Sequence, residues 1–214
     1  IAGGKLDGGE FGSVEVSFIP GQLRSGQFSA DTQTAGAVCL LAQVSLPCAL
    51  FSPGMVSLNL RGGTNAQMAP QIDEYTEIFL PNISKFGFDF DFEVVRKGFF
   101  PRGGGEVNFF LKPVKQLQPI SMTSPGVVQS IIGWSFTAGN LPQRVAEQMT
   151  SAAKRQILEA DVPALRGVPV RIETYKEDTS CAPHSGSGIV LLAKTSTGCI
   201  LGGSALGAPR VSPE

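Results

Sequence analysis

Apolar and polar positions alternate over residues 14–19, VEVSFI, as they do in a half-buried strand, and the Pro20–Gly21 pair then turns the chain. A second extended stretch is predicted over roughly 27–32. The run TQTAGAVCLLAQVSLPCALF that follows is apolar on nearly every helical face. It predicts a buried helix that begins near Thr34, with Thr34 as its N-cap. Residues 55–60, MVSLNL, read as another strand, ending at Gly62–Gly63. Pro70 suits a first helical turn, and Ile72, Tyr75, Ile78, Phe79 and Ile83 keep helical spacing up to Phe86, where Gly87 ends the pattern. Two strands follow, about 88–97 and 106–112, joined by the loop 98–105.

This order of strands and helices predicts a mixed sheet carrying helices, an α/β layered unit. The stretch PVKQLQPISMTSPG, 113–126, is rich in Pro and Ser and reads as a linker. Beyond it the pattern resumes with a strand over 127–136. A helix follows, with Leu141, Val145, Met149 and Ala152 on one face and Lys154 and Arg155 solvated near its end. Strands over 168–174 and 189–194 flank the polar loop KEDTSCAPHSGSG. The predicted organisation is therefore a first unit over 1–121, a smaller α/β unit over 122–203, and a tail over 204–214 whose last residues, LGAPRVSPE, carry no period.

Composition changes this picture little. Hydrophobic residues make up 42% of 214 positions, enough to build a core rather than a disordered chain. The net charge of −1 argues against a broad basic face for nucleic acid but leaves room for a local basic pocket. No run of eighteen apolar residues occurs, so a membrane-spanning helix is not expected. The cysteines, Cys39, Cys48, Cys181 and Cys199, form no C-x-x-C pair, and the single histidine, His184, is not spaced to join them as a zinc ligand. Buried reduced thiols at Cys39 and Cys48, and a reducing compartment, are the expectation. The first residue is Ile rather than Met, which points to a fragment.

Four features can carry chemistry. Arg61-Gly-Gly-Thr-Asn65 leads into Pro70 and a helix: either backbone N–H groups approach an anion there, or a strand-to-helix turn needs glycine. No Walker A or G-x-G-x-x-G pattern is present. The loop FFPRGGG, 99–105, is a hairpin turn with Arg102 exposed, or a site where Arg102 holds a phosphate. Gln43 sits in the apolar helix, where an amide needs partners: it bonds nearby backbone or points into a cleft toward a ligand. His184, in a Ser/Gly loop with no orienting acid nearby, is expected to be exposed and without catalytic role.

The segments DTQTAGAVCLLAQVSLPCALF, RGGTNAQMAPQID, FPRGGGEV, PVKQLQPI and KTSTGCILGGSALG occur in the order in which the RNA 3′-terminal phosphate cyclases carry similar ones. The chain resembles that family over nearly its whole length. The run GGTNAQMAPQID separates it from the non-catalytic relatives that act in ribosomal RNA processing. A catalytically dead RNA-processing or scaffold protein of this fold is the alternative reading. The resemblance implies a core of repeated α/β units over 1–121, an inserted α/β domain over 122–203, and a return to the core over 204–214. It implies ATP-dependent conversion of an RNA 3′-phosphate end to a 2′,3′-cyclic phosphate, in the nucleus or cytoplasm. In that reaction a histidine takes AMP from ATP with a divalent metal, Mg or Mn. AMP then passes to the RNA phosphate, and the neighbouring 2′-hydroxyl displaces it. Gln43 and Pro70 match positions that contact the nucleotide in the family, while Glu74 stands where relatives carry an aromatic residue. The family's glycine-rich N-terminal segment and its C-terminal nucleophilic histidine have no counterpart here, and His184 does not match that histidine. No catalytic residue is therefore assigned, and the chain alone is expected to be inactive.

Overall fold

A computed structural model describes residues 1–213. The chain opens with a two-stranded ribbon, β1 (Lys5–Asp7) and β2 (Ser17–Ile19), antiparallel and exposed along its length. The half-buried strand expected over 14–19 is thus three residues long and buries neither face. A ribbon without a third strand or a helix beneath it has nothing to bury against.

The first sheet has the order β3-β4-β6-β5. Strands β3 (Gly26–Asp31) and β4 (Val56–Gly62) run parallel, and helix α1 (Val38–Leu50) makes the crossover between them. Strands β5 (Phe90–Arg96) and β6 (Gly105–Leu111) complete the sheet in antiparallel register. Between β4 and β5 lies a second helix, α2. It begins at Ile72–Glu74, widens into a π-helical turn over Tyr75–Phe79, resumes over Leu80–Ile83 and closes as a 3-10 turn at Ser84–Phe86. Gly87, at φ +85°, ends it as expected. The cause of the widened turn is Pro81, whose ring clashes with the Glu77 carbonyl in a regular α-helix and which has no N–H to offer it.

Alternate residues Val56, Leu58 and Leu60 of β4 and Val107, Phe109 and Leu111 of β6 point to one side of the sheet, where α1 and α2 cover them. Phe109 is fully buried, which contributes about 1.5–3 kcal/mol by area alone. Helix α1 departs from expectation twice. Its N-cap is Ala37 rather than Thr34, and Leu40 and Val44 are 47% and 72% exposed, so the helix buries one face rather than all of them.

Residues 113–126 form no helix or strand, in keeping with the linker pattern, yet they are strapped down. Val114 N–H donates to Leu50 O at the end of α1, and Gln118 N–H donates to Phe86 O at the end of α2. The second sheet has the order β10-β9-β7-β8. β7 (Val128–Ala138) and β8 (Val170–Lys176) are parallel, joined by helix α3 (Arg144–Glu159), and β9 (Gly186–Thr195) and β10 (Ile200–Leu206) are antiparallel neighbours. β10 is absent from the sequence pattern, and position 203 lies within it. The chain is thus α/β throughout, with mixed sheets carrying helices.

Candidate functional site

Between α1 and α2 opens a cleft of ≈350 Å³ lined by Gln43, Pro70, Glu74, Tyr75, Ile78, Phe79 and Asn82. That volume falls in the range of small-molecule sites, about 300–1,000 Å³. Gln43 comes from α1 and the other residues from α2 and the turn before it. The two residues singled out by resemblance therefore share one cavity.

Their settings differ from the expectation. Gln43 is exposed on α1, so it is not an amide buried in an apolar helix. Pro47, one turn on, has no N–H to donate to the Gln43 carbonyl, which leaves that oxygen outside the helix ladder. Pro70 does not open α2. It precedes the extended cap residue Gln71, and the helix starts at Ile72. The walls of the cleft are otherwise apolar and aromatic, with the Tyr75 and Phe79 ring centroids 4.8 Å apart. Glu74 and Asn82 supply polar groups from α2. None of the seven lining residues is a cation.

The amide that is buried is Gln71, 1% exposed. Its Oε1 accepts from Asn65 Nδ2 at 3.0 Å, and its Nε2 reaches Ile189 O of β9 at 3.5 Å. Asn65 Oδ1 in turn accepts from Thr64 Oγ1 at 2.6 Å, and Thr64 Oγ1 accepts from Gly98 N–H at 3.0 Å. The motif RGGTNAQMAPQID is thus a buried polar relay that ties the first sheet to the second. Its glycines serve close approach between backbones: a Cβ on Gly62 would stand 2.4 Å from Gly36 O. The turn reading of Arg61–Asn65 is the one the geometry bears out.

The loop 98–105 is built in the same way. Gly103, at φ +67°, packs so that a Cβ would meet Thr34 O at 2.1 Å, and Arg102 stands exposed. His184 is half-buried rather than exposed, with its Nε2 3.7 Å from the place a Gly104 Cβ would occupy, and it is not a lining residue of the cleft. Cys39 and Cys199 are buried, Cys48 is partly so and Cys181 is exposed; all four are free thiols. Burial pushes the Cys39 thiol up to about 12, reinforced by the carboxylates of Asp73 and Glu74.

One ionic centre has no sequence signal. Lys97 is 8% exposed, and its Nζ lies 2.8 Å from Asp73 Oδ2 in α2 and 2.8 Å from Glu177 Oε1 after β8. It also stands 4.7 Å above the Phe136 ring. Burial opposes its charge, but Asp73, Tyr175 and Glu177 together outweigh that and raise its affinity for a proton. A lysine between a strand and a glycine loop reads as a solvated end, and nothing local announces two acidic partners from different units.

Among the described residues, no group of three or more His, Cys, Asp or Glu side chains can hold a metal ion, and no helix is long and apolar enough to cross a membrane.

Fold and cleft together define an α/β protein with two four-stranded mixed sheets and a cleft between the helices of the first. The sequence matches the family described as RNA 3′-terminal phosphate cyclase over residues 1–205, and the chain belongs to that family. Relatives carrying that description include proteins of Ignicoccus hospitalis, 38% identical over 95% of this chain and 56% of the relative, and Drosophila melanogaster, 34% identical over 93% and 54%. A protein of Dictyostelium discoideum described as a probable RNA 3′-terminal phosphate cyclase is 36% identical over 98% of this chain and 48% of its own length. The chain spans about half the length of the curated relatives it matches.

Proposed function

We infer that the cleft between α1 and α2 is one wall of the ATP site of an RNA 3′-terminal phosphate cyclase, with Gln43 and Pro70 as nucleotide contacts. The observation that supports it is the convergence of these two residues, from separate elements, on one cavity of ≈350 Å³. Its chemistry suits the nucleoside end of the ligand. Pro70, Tyr75, Ile78 and Phe79 offer apolar surface for a base, and the Gln43 amide, which can both donate and accept, orients it. The triphosphate finds no cation in the lining, so the chain's own part is to bind and orient the nucleoside. A divalent ion, Mg or Mn, would reach the site on the phosphate oxygens, since Mg²⁺ is usually held by one or two carboxylates plus substrate phosphates. There it would offset the negative charge of the phosphates.

The reaction is ATP-dependent closure of an RNA 3′-phosphate to a 2′,3′-cyclic phosphate by way of adenylated intermediates, in a nuclear or cytoplasmic protein. Adenylation makes a poor leaving oxygen into a good one, which is why ATP is consumed. His184 does not line the cleft, so the residue that receives AMP is not assigned in this chain.

Titration of the chain with ATP tests the reading. Gln43→Ala should weaken binding about tenfold, the effect of one lost polar contact of about 1.4 kcal/mol. Unchanged affinity in both Gln43→Ala and Pro70→Ala would place the nucleotide elsewhere.

A further inference from the structure

Three of the cleft residues fall four apart on α2: Glu74, Ile78 and Asn82. Three residues of β10 fall two apart on one strand face: Ser204, Gly202 and Ile200. These two series meet in order. Ser204 Oγ donates to Glu74 Oε2. Ile78 packs over Gly202 so closely that a Cβ there would stand 2.4 Å from Ile78 Cδ1. Asn82 Nδ2 donates to Ile200 O at 2.7 Å, and Asn82 Oδ1 accepts from Ile200 N–H at 3.4 Å. One step further, Lys85 Nζ donates to Gly198 O. The match has a simple geometric origin. Two strand residues advance about 6.6–6.8 Å, and the successive turns of α2, widened over Tyr75–Phe79, present one residue to each such step.

The stripe of α2 that lines the cleft is therefore also the stripe held by β10. Each polar side chain on it is half-buried and committed to a β10 partner: Glu74 through one carboxylate oxygen, Asn82 through both ends of its amide. Released from β10, Glu74 is free to choose another rotamer and change the cavity wall, whereas Asn82 keeps its contacts to Ile78 O and Lys85 Nζ within the helix. Helix α2 also carries the widened turn and Pro81, features that weaken its own hydrogen-bond ladder and leave it dependent on outside support.

We propose that β10 positions the α2 wall of the cleft, with Ser204 and Gly202 as positioning residues. The second sheet is thus part of the binding machinery rather than an appendage. Neither residue touches the cavity. As applied to ATP, the proposal rests on the nucleotide reading above; as applied to the shape of the wall, it does not.

Amide hydrogen exchange over residues 75–83, together with ATP titration of the same chain, tests both parts. Exchange over 75–83 should rise about tenfold in Ser204→Ala, through the loss of one charge-assisted contact, and should also rise in Gly202→Ala, where the added Cβ pushes Ile78 away. Amides of α1 should not change. ATP affinity should fall with it, by about five- to tenfold. Ser204→Thr, which keeps the hydroxyl, should restore both.

Unchanged α2 exchange in both variants overturns the proposal. So does faster exchange with full ATP affinity, if Gln43→Ala weakens binding in parallel. If the unmodified chain binds no ATP, the nucleotide reading fails by itself, and exchange alone then decides whether β10 holds the wall.

Discussion

Lys97 Nζ donates to Asp73 Oδ2 at 2.8 Å, joining the end of β5 to the first turn of α2 in a setting almost closed to water. Glu177 completes the pair from the second sheet. Removing the ammonium leaves two carboxylates facing each other at a buried site. Lys97→Met should therefore lower stability by about 3–5 kcal/mol, read as a shift in urea midpoint at constant slope. A change under about 1 kcal/mol would show that the charges are solvated and the pair is weak.

Gln71 and Gln43 give a paired test of where the buried amide lies. Gln71→Leu strands Asn65 Nδ2 in the interior and should cost about 1–3 kcal/mol. Gln43→Leu, on an exposed face, should stay within about 0.5 kcal/mol. Equal effects would contradict the relay.

The Tyr75 hydroxyl is buried and has no hydrogen-bond partner among the described residues. An orphaned polar group of this kind costs about 1–3 kcal/mol. Tyr75→Phe should raise the midpoint of thermal unfolding, and a fall would reveal a partner.

Cys39 sets an alkaline limit. Its thiol is pushed up to about 12 in the folded protein, by burial first and then by Asp73 and Glu74, against about 8.5 in an unfolded chain. Above pH ~8.5 the unfolded state loses this proton first, so stability falls as pH rises from there toward about 12. Below that window the group has no effect. Cys39→Ala should flatten the stability curve within it by up to about 1.4 kcal/mol per pH unit. With a thiol reagent at neutral pH, the exposed Cys181 should react first and Cys39 only on unfolding.

Much of this architecture is legible along the chain because its strands alternate and its helices end at recognisable residues. Gly87 stops α2, and Val56, Leu58 and Leu60 mark the buried face of β4. β10 escaped because ILGGSAL carries two adjacent glycines and no apolar alternation. It is a strand by virtue of its pairing with β9, and Gly202 is there to admit Ile78. Leu40 and Val44 made α1 look buried on all sides, since hydropathy cannot tell a core face from an exposed apolar one. The same ambiguity bears on the glutamines: Gln43 stands among leucines yet is exposed, and Gln71 sits in a polar motif yet is sealed. Gln43 stood out as an amide in an apolar helix and Pro70 as a helix start, the resemblance made both nucleotide contacts, and the fold brings them to one cavity. Lys97 could not be foreseen, because its partners come from α2 and from the end of β8.

The strapped segment 113–126 looks like the natural place to divide the molecule. Cutting there would part Gln71 from Ile189, Lys97 from Glu177, Asn82 from Ile200 and Glu74 from Ser204 at a single stroke. The first unit alone would then present to water a polar scar of two amides, an ammonium and a carboxylate, Gln71, Asn82, Lys97 and Glu74. A boundary that is permissive in sequence is, in three dimensions, the seam along which the protein is most tightly sewn.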